Sequence, residues 1–286
     1  MEKVIEAIGI TKVYGKQYKP TGPKDSLSEA FQVMIADAIN NGPETIALDN
    51  VDLTVERGDF VCIMGPSGSG KTTLLNAIST IDPPTKGKVF IEGENIRKMG
   101  EIAIGKFRYQ YLGFIFQQFN LLDNLTIYEN IALPLTLDKL SDEEINQRVH
   151  EMAKKVGIDQ LLDKYPTACS GGQCQRCAIA RALITRPRLI IADEPTGNLD
   201  SKNSHEILQL LRDLNQKEGV TILMVTHDSM IASYAKRLLF IMDGKIDTIL
   251  EHGSLTQKEF FYKIMEVTSS EAMQFLEKDT HEEAVS

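Results

Sequence analysis

The feature that most constrains this chain is a glycine-rich stretch directly after a short apolar run. The run spans Phe60 to Met64, and the stretch from Gly65 to Thr72 reads GPSGSGKT, which matches G-x-x-x-x-G-K-[ST]. Residues 73–79 continue with a helical pattern. A buried strand, a glycine turn and a helix N-terminus create a nest of backbone N–H groups that suits phosphate. The sequence therefore predicts a nucleotide-binding loop.

The glycine-rich loop predicts that the chain binds a nucleotide together with Mg²⁺. Lys71 is expected to reach the outer phosphates, and the Thr72 hydroxyl is expected to ligate Mg²⁺. A chance glycine turn is the alternative, but the motif arises by chance in about one chain in a hundred of this length. The predicted phosphate-binding residues are Gly65, Pro66, Ser67, Gly68, Ser69, Gly70, Lys71, Thr72 and Thr73.

A second acidic element follows the apolar run Leu189 to Ala192. Asp193 and Glu194 end this run, which is typical of a buried strand. We expect Asp193 to hold Mg²⁺, through water, and Glu194 to polarise an attacking water molecule. The alternative is a strand that merely ends in solvated acids, and the nearby phosphate loop makes it the weaker interpretation.

Strand and helix patterns alternate along the chain, which predicts an α/β core with a partly parallel sheet. The segment 221–225 is another continuous apolar run, whereas Val51 to Val55 alternates as a one-sided strand does. Helical patterns are clear over 201–219 and after Ser141, where Ser141-x-x-Glu144 is a capping box. Residues 120–187 carry helical patterns without a strong strand, which predicts an inserted α-helical subdomain.

An ordered series of motifs resembles the nucleotide-binding subunit of an ABC transporter. The resemblance spans roughly residues 5–247 and implies the P-loop NTPase fold of the ABC ATPase type. Its motifs, after the phosphate loop, are Phe116-Gln117, Ser170-Gly-Gly-Gln173, Asp193-Glu194, Gly197-Asn-Leu-Asp200 and Thr226-His227.

The resemblance implies a head-to-tail homodimer in which two ATP molecules lie between phosphate loops and opposing signature motifs. Gln117 would contact Mg²⁺ and the attacking water, and His227 would hold the γ-phosphate, which gives Glu194, His227 and Gln117 as catalytic residues. The implied metal set is Thr72, Gln117 and Asp193. The signature residues that would bind the γ-phosphate in the other subunit's site are Ser170, Gly171, Gly172 and Gln173.

Two further positions take roles from the same resemblance. Asp200 would organise the dimer seam, and Tyr14 would stack on adenine, with Tyr18 as the fallback. The signature departs from the family pattern because Cys169 stands where leucine is usual and Cys174 stands where a polar or charged residue is usual. Both changes spare Ser170 and the glycines.

The closest branch is that of macrolide-export and lipoprotein-release ATPases. Within it, Ser79 to Asp82, Thr221 to Asp228 and Phe260 to Ile264 are similar to ATPases of bacterial peptide-antibiotic resistance transporters, of the bacitracin and lantibiotic type. The resemblance implies an ATPase subunit that powers a separate membrane permease at the cytoplasmic face of the cell membrane. A histidine kinase is a further expected partner.

Three other functions are alternatives to an ATPase subunit that powers a permease. A regulatory ATPase could drive a cell-envelope or signalling partner without transport, and a lipoprotein or macrolide exporter ATPase would carry the same motifs. A DNA-repair ATPase is disfavoured, because the interval from Gln117 to Ser170 is too short for a long coiled coil. The net charge of −9 also argues against a nucleic-acid partner.

The cysteines and the apolar segments bear on location. No window is long and apolar enough to span a bilayer, and no secretory signal is visible, so a cytosolic chain with reduced thiols is expected. Cys174 and Cys177 have CxxC spacing, but no second pair or nearby histidine completes a zinc site. Cys174 is predicted near a helix N-terminus, which favours thiolate, yet inert thiols are the preferred interpretation.

The chain divides into a predicted ABC ATPase domain over 1–250 and a helical, acidic C-terminal extension over 251–286. An atypical insert covers about 17–44. Within it, Ser26 and Glu29 form a capping box before an amphipathic helix that must pack on something. The helix either docks on its own sheet or contacts the permease or an accessory protein.

Overall fold

Ten strands form two sheets in the part of the chain that the structure, a computed structural model, describes: residues 2–15 and 44–283, with side chains through residue 270. The strands are β1 Lys3–Tyr14, β2 Thr45–Glu56, β3 Phe60–Met64, β4 Lys86–Ile91, β5 Glu94–Asn95, β6 Leu112–Phe116, β7 Leu189–Asp193, β8 Thr221–Val225, β9 Arg237–Met242 and β10 Lys245–Glu251. One sheet has the order β10-β9-β3-β8-β7-β6 and the other has the order β2-β1-β4-β5.

The six-stranded sheet is parallel except at one edge. Strands β9, β3, β8, β7 and β6 run parallel, and β10 pairs antiparallel with β9. Every residue of β3 and β8 is buried, which confirms that these continuous apolar runs are central strands covered on both faces. The α/β class predicted from the sequence is confirmed. Because the strands are parallel, their carboxyl ends meet at one edge of the sheet.

The four-stranded antiparallel sheet was predicted only in its Val51 to Val55 segment. Strands β1 and β2 pair along their whole lengths, but their register shifts at several bulges, which breaks the apolar alternation that would mark them in the sequence. A second core cluster joins this sheet to the first. It includes Ile5 and Leu48 from the antiparallel sheet, Ile63 from β3, and Leu74 from the helix after the phosphate loop.

The described helices are α1 Lys71–Ile78, α2 Glu101–Tyr111, α3 Ile127–Ala132, α4 Asp142–Val156, α5 Gly171–Leu183, α6 Ser201–Glu218, α7 Ser229–Ala232 and α8 Gln257–Glu283. Helices α3 to α5, with short 3-10 turns between them, occupy the region predicted as a helical subdomain. The predicted capping box of α4 is confirmed, because Ser141 and Glu144 form it in the structure. Gly157 ends this helix with φ 75°.

The C-terminal segment begins within the core. Phe260 and Ile264 on α8 are fully buried in the main cluster, so the first part of the region predicted as an extension packs against the ATPase core. No helix in the described ranges is long and apolar enough to cross a membrane.

The atypical insert connects two adjacent strands. Tyr14 at the end of β1 is paired with Thr45 at the start of β2, so the chain leaves and re-enters the sheet at neighbouring positions. The predicted amphipathic helix and the fallback residue Tyr18 lie outside the described residues.

Candidate nucleotide site

The phosphate loop requires glycine for steric reasons. Gly65 has φ 155°, and a Cβ there would lie 2.1 Å from the Ile241 carbonyl oxygen. Gly70 has φ 102°, and its Cβ would lie 2.4 Å from the Ala47 carbonyl oxygen. The loop is therefore held closely against both sheets, in a conformation that favours glycine. Gly70 is also the N-cap of α1, so the loop runs directly into a helix N-terminus.

A cavity of about 640 Å³ opens above this loop at the carboxyl edge of the parallel strands. Lys71 lines it, and its Nζ donates hydrogen bonds to the carbonyl oxygens of Gly65 at 2.9 Å and Pro66 at 2.7 Å. Burial lowers the pKa of Lys71, while Glu194 and Asp193 act to raise it. The ammonium is thus fixed inside the loop, with two carboxylates nearby. The other lining residues include Ser67, Gly68, Thr72, His227, Phe240 and Thr268.

Two adjacent acids end β7 in different environments. Burial raises the pKa of Asp193, Glu194 raises it further, and Lys71 lowers it. Glu194 adopts φ 45°, a left-handed conformation that costs a non-glycine residue on the order of 1–3 kcal/mol. Its backbone N–H donates to the Val225 carbonyl at 3.0 Å, which ties the strained residue to the end of β8. Glu194 lines the cavity above the phosphate loop.

The Glu194 carboxylate is held by two neighbours. The Thr226 hydroxyl donates to Oε2 at 3.0 Å, and Nδ1 of His227 lies 2.7 Å from Oε1. Because a carboxylate only accepts, the proton of this contact lies on His227 Nδ1, which leaves Nε2 available to a ligand. The His227 side chain is 75% exposed, whereas that of Glu194 is 16% exposed. The arrangement orients a carboxylate towards the phosphate loop.

The signature residues form a separate surface. Ser170 caps α5: its N–H donates to Gln173 Oε1 at 2.9 Å, and its Oγ accepts from the Gln173 N–H at 3.4 Å. A Cβ on Gly172 would lie 2.4 Å from Asn203 Oδ1. Asp200 caps α6 by accepting from the N–H and the side chain of the same Asn203, and these bonds lower the pKa of Asp200. Asp200 and the signature glycines are thus connected through Asn203.

Gln117 and Tyr14 flank the site at different places. Gln117 follows β6, and its side chain lies over Gly197, where a Cβ would come within 2.7 Å of Nε2. Tyr14 is 41% exposed, and its hydroxyl donates to Asp82 at 2.9 Å. Burial is the main cause of a raised Tyr14 pKa, and the hydrogen bond with Asp82 raises it further.

The structure brings together only part of the predicted set. One cavity is lined by Lys71, Thr72, Glu194, His227 and phosphate-loop residues, whereas a second cavity of about 450 Å³ includes Ser170, Gly172 and Gln173 in its lining. Gln117 and Asp193 line neither cavity. The phosphate-loop residues and the signature residues of one chain therefore line different cavities.

Sequence reasoning assigned no role to two supporting side chains, Thr226 and Asn203. Thr226 meets Glu194 only because β7 and β8 are neighbours in the sheet, and strand order is not visible in a sequence. Asn203 had a weak signal, since it follows Asp200 by three residues at a helix start.

The donor set fits ATP with Mg²⁺. Phosphate would meet the helix N-terminus and Lys71, and a carboxylate with a hydroxyl supplies the oxygen ligands that Mg²⁺ prefers. Across residues 2–15 and 44–283, no cluster of three or more His, Cys, Asp or Glu side chains could hold a metal alone. A bound Mg²⁺ would complete its shell with phosphate oxygens and water, as is usual for this ion.

Cys174 and Cys177 have the properties of inert thiols. Cys174 is buried, its Sγ donates to the Pro166 carbonyl at 3.5 Å, and burial raises its pKa to about 11. Burial also raises the pKa of Cys177 to about 12. The helix N-terminus does not overcome this burial, so both side chains are neutral thiols at neutral pH. Neither belongs to a metal-binding cluster in the described part of the chain.

Comparison with known proteins agrees with this geometry. The family model for ABC transporters matches residues 48–197. The chain is 50% identical over 223 residues to the ABC transporter ATP-binding protein YxdL of Bacillus subtilis, covering 78% of this chain and 86% of that protein. It is 49% identical over 218 residues to the bacitracin export ATP-binding protein BceA of Halalkalibacterium halodurans, covering 76% and 86%.

A solved structure shows the same fold. The dimeric structure of the ABC transporter cassette MJ0796 superposes with a TM-score of 0.72 at 37% identity and covers 86% of this chain and 98% of that one. A second structure of MJ0796 is a dimer in a post-hydrolysis state bound to ADP and Pi, with a TM-score of 0.71.

Proposed function

We propose the ATP-site residues and the substrate class of this chain, which belongs to the ABC transporter family as an ATP-binding and ATP-hydrolysing subunit that works with a membrane permease. ATP is proposed to bind at Gly65 to Thr73, with adenine against Tyr14. The observation that carries the proposal is the single cavity lined by the phosphate loop, Lys71, Glu194 and His227.

Glu194 is proposed as the group that accepts a proton from the attacking water. Thr226 and His227 fix its two oxygens, so the carboxylate needs little reorganisation before the reaction. His227 would direct Nε2 to the γ-phosphate, and that contact donates a hydrogen bond only when the ring is protonated. Mg²⁺, when bound through Thr72, Asp193 and Gln117, would offset charge on the phosphates.

Two copies of the chain are proposed to complete each site. Ser170 to Gln173 lie on a surface of their own, at the N-terminus of α5, and suit an anion presented by another subunit. Asp200 supports that surface through Asn203. MJ0796 forms dimers, one of them with ADP and Pi, which supports a homodimer with ATP between a phosphate loop and the opposing signature motif.

Phosphate release tests the ATP site. The purified chain should hydrolyse ATP in the presence of Mg²⁺, and a Thr226→Val variant should lose activity while retaining ATP binding. This variant removes one hydrogen bond to Glu194 and leaves the phosphate loop intact. Unchanged hydrolysis in Thr226→Val would contradict the proposed orientation of Glu194.

The proposed substrate class is antimicrobial peptides. Support comes from 49% identity to a protein named as a bacitracin export ATPase. Expression of the chain with its cognate permease in a sensitive host should raise the bacitracin concentration needed to stop growth, and Glu194→Gln should abolish the gain. Protection against macrolides instead would favour a macrolide exporter, and ATPase activity without protection would favour a regulatory role.

The proposed location is the cytoplasmic face of the cell membrane, as a peripheral subunit. A histidine kinase is a proposed further partner, expected if the transporter also senses peptide antibiotics. Affinity purification of the permease complex from membranes, followed by mass spectrometry, tests both proposals. The chain should be recovered with the permease, and the kinase should be recovered only in the presence of peptide.

A further inference from the structure

A second large cavity lies at the amino edge of the six-stranded sheet. Its volume is about 720 Å³, and it is bounded by α4, by the segment 183–188 after α5, and by the turns before β3 and β8. The nucleotide cavity lies at the carboxyl ends of the same strands. Five residues of strand separate the two edges, which is about 16 Å at 3.3 Å per residue. The two cavities are therefore distinct.

The second cavity is basic in a chain whose net charge is −9. Five cations line it, and two of them are neutralised: Lys155 pairs with Glu218 at 2.7 Å, and Arg57 pairs with Glu2 and Glu92. The lining holds five cations against two acids, Glu151 and Glu218, so cations are in excess. The three cations with no salt bridge within the described ranges are Arg148, Arg186 and Arg188. Hydrogen bonds with Ser141 lower the pKa of Glu144, and Arg148 acts in the same direction. Pairing with Arg57 lowers the pKa of Glu2, and Arg188 acts in the same direction.

Arg186 is also held in an unfavourable backbone conformation. It has φ 54° in the turn after α5, and its N–H donates to the Leu183 carbonyl at 2.8 Å. The ends of α4 and α6 reach the left-handed region with glycines, Gly157 and Gly219. An arginine at such a position costs stability that glycine would not. Replacement of Arg186 by glycine is therefore expected to relieve backbone strain.

The base of the cavity is apolar. Leu183 and Ile184 are buried there, and Met152, Pro187 and Val220 are partly exposed around them. Guanidinium groups bind phosphate through paired N–H donors, and a volume of this size suits a small organic molecule. An inorganic ion would leave the apolar base uncovered. The lining therefore matches a ligand with an anionic group and an apolar body.

We propose that the cavity between α4 and the turns before β3, β7 and β8 binds an organic phosphate, with Arg148, Arg186 and Arg188 at the phosphate and the apolar base against the rest of the ligand. The chemistry is shared by a soluble phosphate ester and by a phospholipid headgroup. The proposal does not depend on the proposed ATP-site roles, because its residues lie at the other edge of the sheet.

Phenyl phosphate is a suitable probe, because it combines a phosphate with a small apolar ring. Titration by calorimetry is done with the phosphate loop saturated by ADP and Mg²⁺, so that only other sites respond. Phenyl phosphate should bind more tightly than inorganic phosphate. Arg186→Gly should weaken its binding by about tenfold or more, since a charge-assisted pair is lost. The same variant should be at least as thermally stable as the parent, because glycine relieves the backbone strain.

Arg97→Gln is the matched control, since Arg97 is an exposed arginine outside the cavity that donates only to backbone carbonyls in the described structure. It should leave phenyl phosphate binding unchanged. Flotation with phosphatidylglycerol or phosphatidylcholine vesicles separates the two ligand sources. Binding to phosphatidylglycerol that Arg186→Gly removes identifies a lipid headgroup, and binding of phenyl phosphate without flotation identifies a soluble ester.

Three results would overturn the proposal. They are an absence of phenyl phosphate binding in the ADP-saturated protein, equal affinity for phenyl and inorganic phosphate, and an equal loss of affinity in Arg97→Gln and Arg186→Gly. ATP hydrolysis should remain normal in Arg186→Gly, which separates a failure of this site from a failure of the ATP site.

Discussion

The two proposed half-sites for nucleotide, the phosphate-loop half and the signature half, differ in how they are built. In the phosphate-loop half, the Lys71 ammonium lies near the carboxylates of Asp193 and Glu194. Glu194 also has a strained, left-handed backbone conformation. The signature half is formed by a neutral capping box at the N-terminus of α5, where Ser170 and Gln173 satisfy each other. In the proposed dimer, the first half binds ATP and carries the catalytic base, whereas the second contributes only when another subunit brings an anion to it. Variants in the two halves should therefore fail at different steps.

The largest effect is expected in the phosphate-loop half, from Glu194→Gln. The amide keeps the shape and the contact with Thr226 but cannot accept a proton, so hydrolysis should fall by about 10²- to 10⁴-fold. ATP binding should persist, and gel filtration with ATP should show a longer-lived dimer. Phosphate release measured beside filter binding of ATP checks both expectations.

Glu129→Gln is the matched control for this change. Glu129 closes the capping box of α3, where glutamine serves equally well, and it lies outside both half-sites. It should leave hydrolysis and dimer lifetime unchanged. Near-normal turnover in Glu194→Gln would show that Glu194 is not the catalytic base.

Lys71→Ala should act earlier, at binding. Loss of the ammonium leaves the loop amides alone to offset phosphate charge, and ATP affinity should drop by about tenfold or more, equivalent to about 1.4 kcal/mol. The Lys71 side chain also donates to two loop carbonyls, so thermal stability of the nucleotide-free variant should be measured in parallel. Unchanged ATP affinity would contradict the proposed role of Lys71.

Local features of the fold and site were predicted from the sequence, whereas contacts between distant segments were not. The phosphate loop and the capping box of α4 were predicted because their signals lie within a few consecutive residues. The antiparallel sheet was largely missed, because bulges in β1 break its alternation and its partners are distant in the chain. The role of Thr226 was not predicted, because its contact with Glu194 depends on strand order. Motifs formed by consecutive residues can be predicted from the sequence, whereas contacts between strands that are distant in the chain cannot.

In the signature half, Ser170→Ala is expected to act through both stability and function. Loss of a cap hydroxyl costs about 1 kcal/mol, and loss of the proposed γ-phosphate contact should lower hydrolysis several-fold with ATP affinity of the monomer unchanged. Ser141→Ala is a close control, because Ser141 forms the same box on α4, with bonds of 2.9 and 3.3 Å. Thermal melts and phosphate release are measured on both variants.

Only the melting temperature should respond in Ser141→Ala, whereas both readouts should respond in Ser170→Ala. Equal loss of hydrolysis in the two variants would mean that the box at α5 is purely structural. A drop in ATP affinity of the Ser170→Ala monomer would instead indicate that the two half-sites are coupled within one chain.

A smaller effect is expected from thiol modification beside Ser170. Cys169 is only partly buried, and burial raises its pKa, whereas Cys174 and Cys177 are buried with pKa values raised to about 11 and about 12. Because the thiolate is the reactive form, N-ethylmaleimide at pH 7 should label Cys169 first, and labelling of the other two should increase as the pH rises towards 10. Mass spectrometry locates the adduct. Hydrolysis should fall as Cys169 is labelled, and hydrolysis by Cys169→Leu should be insensitive to N-ethylmaleimide. Activity that survives complete labelling of Cys169 would show that this cysteine does not lie where the two subunits meet.

The smallest effect on the isolated ATPase is expected from a change in the insert that connects β1 to β2. Tyr14 and Thr45 are paired neighbours, so a short glycine–serine linker in place of residues 19–43 can join β1 to β2 without moving either strand. If the insert contacts a permease or an accessory protein, the shortened chain should stay soluble, bind ATP and hydrolyse it at a similar rate, yet lose stimulation by the reconstituted permease. If the insert instead packs on its own sheet, the shortened chain should melt much earlier or precipitate. Thermal melts and permease-stimulated phosphate release, measured on both chains, distinguish these outcomes.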